Sequence, residues 1–157
     1  MIPLNRGSPQ SELYTVYSIS EKCSNFSHSI TQKLVVTVGD SRSGEISLPV
    51  NWFENLLPIL KSVKSHTAMC IFKTYIGGWT TSLRMHEPVK RRCIFGCSGQ
   101  WDDLYHYLEC APLWDIACKQ INFETPHTFA ARLCLVNPSK QGVQALALTF
   151  SIYHFVK

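Results

Sequence analysis

The spacing of apolar residues changes at about residue 51. From Asn51 onward, apolar residues such as Trp52 and Leu56 recur at the three- and four-residue intervals of amphipathic helices. Asn51 and Glu54 have the pattern of a capping box, which predicts where the first helix starts, and Pro58 predicts a kink or break within it. Further helices are predicted to start at Ser65, Thr125-Pro126 and Asn137-Pro138. Residues 143–156 (VQALALTFSIYHFV) predict a buried helix.

The first fifty residues have a different pattern. Residues 33–38 (KLVVTV) form a strand-like run, residues 39–44 are rich in turn formers, and residues 45–50 could return as a second strand. We therefore expect a β-hairpin over residues 32–50, or irregular structure, within an N-terminal extension of residues 1–50. No chemistry is apparent there, since Cys23 and His28 lack further ligand residues at suitable spacing.

Length and composition exclude several classes of protein. The chain has 157 residues, 45% of them hydrophobic and 17% charged, which fits one folded domain and is too short for a complete polymerase or kinase. No apolar run approaches the ~20 residues of a membrane span, and no secretory signal is visible at the N-terminus. We therefore expect an intracellular, reducing compartment, nucleus or cytoplasm, with no membrane partner. The seven cysteines are then thiols or metal ligands rather than disulfides.

The chemistry of the chain is concentrated in a Cys-x3-Cys-x8-His-x3-Cys pattern formed by Cys93, Cys97, His106 and Cys110. Three thiolates and one imidazole suit the tetrahedral shell of Zn²⁺, and both pair spacings are typical of structural zinc sites. Gly96 permits a tight turn between the first two cysteines. His106 and Cys110 are predicted to share one face of a helix that begins near Asp102-Asp103.

The predicted fold class is mainly α, with a small Cys3His zinc knuckle at residues 93–110 inside a helical domain of residues 51–157. Four protein ligands close the zinc shell, which indicates a structural rather than a catalytic metal. Buried thiols with a surface histidine are the alternative interpretation of the pattern. His86 is a less favoured substitute ligand, and three further cysteines lie on apolar helical faces and are predicted to be core thiols: Cys70, Cys118 and Cys134.

Positive charge is concentrated in the segment that leads into the knuckle. Residues 61–92 contain seven lysines and arginines against Glu87 alone, a net charge of +6, whereas the whole chain carries +4. Basic residues beside exposed aromatic rings suit nucleic acid, because cations neutralise phosphates and rings stack on unpaired bases. The predicted phosphate contacts are Arg84, Lys90, Arg91 and Arg92. The predicted stacking residues are Phe95 and Trp101, although Phe95 could instead pack beneath the zinc loop.

The stretch from about residue 48 to residue 148 resembles the C-terminal region of non-LTR retrotransposon reverse transcriptases. The residues that carry the resemblance are KTYIGGWTTSLRMH at 73–86, Cys93-Ile94-Phe95-Gly96-Cys97, Asp102-Asp103-Leu104, His106-Tyr107-Leu108, Cys110 and Leu113-Trp114. In that family a cysteine–histidine zinc knuckle of the CCHC kind follows the polymerase. The family's knuckles often place four residues between the histidine and the last cysteine, and this chain has three. The family's catalytic palm is missing, since Asp102-Asp103 lies inside the zinc loop and is not the paired-aspartate metal motif.

The resemblance implies a fragment of a longer reverse transcriptase polyprotein, or a domesticated remnant, that is not itself an enzyme. The expected function is that of a zinc-knuckle module that binds RNA or DNA, contacting element RNA or target DNA. A zinc-stabilised protein-interaction module, or a decayed copy without function, is the alternative.

Overall fold

The computed structural model describes residues 51–157 together with His28, Ser29, Thr31, Gln32, Leu34, Leu48 and Pro49. This part of the chain is mainly helical, which confirms the predicted fold class. Residues 51–157 form α1 (Trp52–Ser62), α2 (Ser65–Tyr75), α3 (Leu104–Glu109), α4 (Ala111–Gln120), α5 (Phe129–Arg132) and α6 (Lys140–Val156).

Helix α6 lies at the centre of the fold, where it packs against α1, α2 and α4. Its buried residues do not form a single stripe but occur around much of its circumference: Gly142, Val143, Ala145, Leu146, Ala147, Thr149, Phe150 and Tyr153. A helix that is apolar on most sides is expected in the interior. The sequence prediction of a buried helix over residues 143–156 is therefore confirmed.

Helix α1 packs its apolar face on α6 and α2 and buries Trp52, Phe53, Leu56 and Leu60. Asn51 occupies the predicted N-cap position, but its side chain makes no capping hydrogen bond. Pro58 is exposed and lies inside the helix, so it does not end α1. Helix α2 begins at Ser65, with Lys64 in the N-cap position that the sequence had assigned to Ser65.

The starts of α5 and α6 differ from the sequence prediction by two or three residues. Thr128 caps α5 by accepting a hydrogen bond from the Ala131 N–H at 3.2 Å, and Ser139 caps α6 through the Gly142 N–H at 3.0 Å. Pro126 and Pro138 lie before these caps rather than inside the first turns. Each cap–proline pair in the sequence therefore belongs to the preceding loop, and a hydroxyl residue further along caps the helix.

A cluster of buried aromatic rings connects the helices to the knuckle. The Trp79 ring stacks on Tyr107 of α3 with 5.9 Å between centroids and lies 4.9 Å from Tyr153 of α6. Its indole N–H donates to Thr74 Oγ1 of α2 at 3.0 Å. Trp79, which follows α2 in the chain, therefore fixes the position of α3 relative to α2 and α6.

Most of the predicted N-terminal hairpin lies outside the described residues. At its start, Gln32 and Leu34 have helical backbone rather than the expected strand, and Leu34 is buried in the same core as α1 and α6. The predicted boundary between residues 1–50 and 51–157 stays a prediction. In the part of the chain that the structure describes, no helix combines the length and apolar character needed to cross a membrane.

Candidate metal centre

The four residues of the Cys-x3-Cys-x8-His-x3-Cys pattern converge in space. Ligand atoms of Cys93, Cys97, His106 and Cys110 all lie within 4.8 Å of one another. Cys93, His106 and Cys110 are buried, and Cys97 is half-buried. The structure therefore brings together the whole set of predicted metal ligands.

The loop that carries the first two cysteines is closed by an antiparallel bridge between Arg92 and Trp101. Backbone hydrogen bonds flank the bridge, from the Cys93 N–H to the Gln100 oxygen at 3.0 Å and from the Asp102 N–H to the Arg91 oxygen at 2.9 Å. Gly96 has a φ of +81°, so the tight turn predicted between the cysteines is confirmed and requires left-handed backbone.

The second pair of ligands is placed differently from the prediction. Asp103 caps α3 by accepting a hydrogen bond from the His106 N–H at 2.8 Å, which orients the first turn of that helix. Helix α3 ends at Glu109, and Cys110 follows it as the residue between α3 and α4. Cys110 is therefore not on the helical face of His106. Its place at the N-cap of α4 puts the sulfur near the positive end of a helix, which offsets part of the cost of burying a thiolate there.

The distances fit a tetrahedral metal shell rather than a disulfide. The Cys110 sulfur lies 3.9 Å from that of Cys93 and 3.6 Å from that of Cys97. Sulfur ligands at about 2.3 Å from a tetrahedral Zn²⁺ are about 3.8 Å apart, whereas a disulfide requires about 2.05 Å. Among the described residues, His106 Nε2 is one of two buried side-chain nitrogens without a hydrogen-bond partner, the other being Trp114 Nε1. A lone pair of His106 directed at a metal would account for its lack of a partner.

Burial disfavours charge on the ligands when no cation is present. Burial raises the pKa of the Cys110 thiol well above its ordinary value, and it also raises the pKa of Cys97. Burial lowers the pKa of His106, which favours the neutral imidazole that metals bind. The thiolates of Cys97 and Cys110 therefore need a cation nearby, and metal binding would release their protons.

Three other cysteines lie outside the cluster and are buried, as predicted: Cys70, Cys118 and Cys134. The Cys70 sulfur lies 3.6 Å from His66 Nε2, one helical turn away on α2. His86, the alternative ligand, is exposed and does not belong to the metal-ligand group. Cys23 lies outside the described residues.

The predicted phosphate-binding residues lie on the segment that leads into the knuckle, residues 82–92, here called the basic loop. The side chains of Arg84, Lys90, Arg91 and Arg92 are exposed. Three of these cations already have partners: Arg84 donates to the Trp79 oxygen at 3.4 Å, Arg91 pairs with Glu87 at 2.9 Å, and Arg92 donates to the Gly99 oxygen at 3.1 Å. All four cations are therefore at the surface, but most of them already contact a neighbouring carboxylate or backbone oxygen.

The buried Asp102 connects the basic loop to the knuckle and to α6, a role that the sequence did not reveal. Its carboxylate accepts hydrogen bonds from the Ser82 N–H at 2.7 Å, Tyr153 Oη at 3.1 Å and Lys157 Nζ at 2.8 Å. Burial by itself raises the pKa of Asp102, but the hydrogen bonds from Lys157 and Ser82 outweigh it and hold that pKa below its usual range. No sequence signal pairs Asp102 with Lys157, because the two residues are far apart in the chain.

The two predicted stacking residues have different environments. Phe95 is half-buried, and its ring meets Tyr107 edge-on with 6.0 Å between centroids, so it contributes to packing under the loop. Trp101 is 43% exposed, and the Arg92 guanidinium lies 3.8 Å from its ring centroid. Of the two rings, only that of Trp101 is well exposed to solvent.

Comparison with known proteins does not place the chain in a family. No protein-family model matches the chain, and neither the curated proteins nor the solved structures that were compared contain a match. The resemblance to retrotransposon reverse transcriptases stays an expectation from the sequence.

Proposed function

We propose that the chain is a zinc-stabilised module that binds nucleic acid through the basic loop. The observation that carries the proposal is the Cys3His cluster together with four exposed cations on the segment that enters it. The sequence resemblance favours one form of this proposal. In that form the chain is a fragment of a retroelement reverse transcriptase and binds element RNA or target DNA.

Zinc is the metal that best fits the donor set. Three thiolates and an imidazole in tetrahedral arrangement favour Zn²⁺ over the oxygen-seeking Mg²⁺ and Ca²⁺. With four protein ligands the shell is complete, so the metal orders the loop rather than activating a water. Metal analysis of reduced protein purified without chelator should give about one zinc per chain, and a metal-free folded protein would contradict the zinc proposal.

The anchoring of the basic loop supports a link between the metal and the cations. The Arg91 N–H donates to Ser82 Oγ at 3.2 Å, and the Asp102 N–H donates to the Arg91 oxygen at 2.9 Å. Asp102 is next to the Arg92–Trp101 bridge that closes the zinc loop. The backbone of Arg91 is therefore anchored to the knuckle. Metal removal should therefore weaken phosphate binding without removing any cation.

The test is a titration of labelled RNA and DNA at two salt concentrations. We expect affinity to fall as salt rises, with a log–log slope of about −0.9 for each phosphate contact on duplex DNA. Neutralising Lys90, Arg91 and Arg92 together should flatten this slope and weaken binding about equally across sequences, because phosphate contacts do not read bases. The matched control neutralises Lys61, Lys64 and Lys119, which are exposed cations outside the basic loop.

A protein-interaction module is the second candidate, favoured by one feature of the same loop. Three large apolar side chains are strongly exposed there: Leu83 at 48%, Met85 at 53% and Val89 at 74%. Exposed apolar residues in one short segment are typical of protein-binding surfaces. If the wild-type chain binds no nucleic acid at low salt, or the triple neutralisation leaves affinity unchanged, this second function becomes the better account.

A further inference from the structure

A cleft of about 1040 Å³ opens between the knuckle and the basic loop. Metal ligands Cys97, His106 and Cys110 form part of one wall, and Leu83 and Lys90 of the basic loop contribute to the other. Trp101 also lines this cleft, so the most exposed indole of the described residues faces a space larger than one nucleotide needs.

The Trp101 backbone is paired with Arg92 in the antiparallel bridge, and the Arg92 guanidinium lies over its ring, 3.8 Å from the ring centroid. Arg92 does not line the cleft, whereas Trp101 does. Trp101 keeps 43% of its surface exposed beside Arg92, so part of this residue is available to a ligand in the cleft that it lines.

The charges around the cleft favour a base over a phosphate in its interior. Asp102, Asp103 and Glu109 contribute carboxylates to the lining, and Lys90 is the one lysine or arginine among the lining residues. A phosphate inside would meet these carboxylates and the thiolates of a loaded metal site. A neutral base carries no such penalty, and its phosphates can stay outside near the exposed Arg84 and Arg91.

We propose that this cleft receives an unpaired base of a single-stranded nucleic acid, which stacks on the exposed part of Trp101. The inference rests on the proposed nucleic-acid function and deepens it by naming the form of nucleic acid. Bases within a duplex are already stacked on their neighbours and cannot enter the cleft, so the chain should prefer single strands.

Tryptophan fluorescence offers a direct readout of stacking. Trp52, Trp79 and Trp114 are at most 4% exposed, so a base that binds in the cleft quenches mainly Trp101. Titration of the metal-loaded chain with single-stranded RNA and DNA 12-mers should quench this emission, and a duplex 12-mer should quench it much less. Trp101→Phe should abolish most of the quenching while retaining a ring that can stack.

Substitutions then separate stacking from simple apolar contact. Trp101→Ala and Trp101→Leu should each weaken single-strand binding about tenfold, as loss of one base–aromatic stack does, and leave duplex binding unchanged. Trp101→Phe should retain most of the single-strand affinity. Ile116→Ala is the matched control, because Ile116 has the same 43% exposure on α4 but does not line the cleft.

The possible outcomes distinguish this inference from the function on which it rests. If the wild-type chain binds nucleic acid but Trp101→Ala weakens single strands and duplex equally, or weakens neither, the base cleft is overturned and the phosphate-binding function stands. Binding to duplex without binding to single strands also overturns the cleft. If the wild-type chain binds neither form at low salt, the proposed function fails and the cleft with it.

Discussion

The helical layer, formed by α1, α2 and α6, and the knuckle of residues 93–110 differ in how much apolar surface they bury. Helices α1, α2 and α6 contain apolar side chains that are completely buried, such as Leu56, Ile71 and Leu146. In the knuckle, residues 98–101 are exposed and α3 is only six residues long. The knuckle therefore gains less from apolar packing than these helices do, and has less to balance the entropy lost on ordering.

The knuckle combines its candidate metal ligands with a few residues that reach the main core. Its four ligand residues lie within 4.8 Å of one another, and Tyr107 and Leu108 of α3 join the main core. We expect two kinds of cooperative unit in this chain, one stabilised by buried apolar area and the other, under the zinc proposal, by metal coordination. The difference also indicates where each unit is vulnerable.

The largest expected effect separates the two regions by removing a ligand. Cys110→Ser should abolish zinc binding and hydrogen-exchange protection in residues 93–110, because structural zinc sites stabilise their folds by on the order of 10 kcal/mol. Helices α2 and α6 should keep their protection, since their burial does not depend on the metal. Metal analysis and hydrogen exchange on the same sample measure both effects.

The matched control is Cys118→Ser, which changes a buried cysteine outside the cluster. It should keep one zinc per chain and cost about 1–3 kcal/mol of stability, the penalty for a hydroxyl in an apolar site. Loss of protection in α2 and α6 after Cys110→Ser would mean that the two regions unfold as one unit, and the comparison would have to be abandoned.

The same division explains how much the sequence predicted. Metal-ligand spacing is a local property, and the sequence identified all four members of the cluster. Helical periodicity predicted the buried faces of α1 and α6 for the same reason. Cys110 was misplaced on α3 because the extended backbone at that residue, with φ −63° and ψ 100°, depends on the junction with α4.

Long-range polar contacts could not be predicted. Asp102 was expected to begin a helix near the positive end of the dipole, but Asp103 caps α3 and Asp102 turns into the core. Its partner Lys157 directly follows α6, and only the packing of α6 beside the knuckle brings the two residues within 2.8 Å. No local pattern in the sequence encodes that arrangement.

An intermediate effect is expected where the two regions meet, at Asp102. Asp102→Asn should cost about 3 kcal/mol at pH 7, because it leaves the mostly buried Lys157 ammonium without its closest carboxylate. The pKa of Asp102 lies below its usual range, so its charge stabilises the folded state above the unfolded pKa of about 3.9 and is lost as pH falls through the folded pKa. Thermal unfolding of both proteins should show a constant difference from pH 7 to about pH 4 that shrinks below it.

Glu87→Gln is the control for Asp102, because Glu87 also lies near Lys157 but at 3.8 Å and partly exposed. It should change stability by less than about 1 kcal/mol, as partly exposed ion pairs do. If Glu87→Gln costs as much as Asp102→Asn, the buried contact is not what joins the regions.

The smallest expected effect lies inside the helical layer and compares two helix N-caps, Ser139 of α6 and Asn51 of α1. Ser139→Ala should cost about 1 kcal/mol, because Ser139 Oγ accepts the hydrogen bond of the Gly142 N–H at the start of α6. Asn51→Ala should cost only a few tenths of a kcal/mol, although its sequence pattern was the clearer capping box, since its side chain makes no capping hydrogen bond in α1. Urea unfolding of the two metal-loaded variants gives the difference directly. Neither substitution touches the ligands, so zinc content should stay at that of the wild type, and equal losses at the two caps would show that the hydrogen bond of Ser139 does not distinguish them.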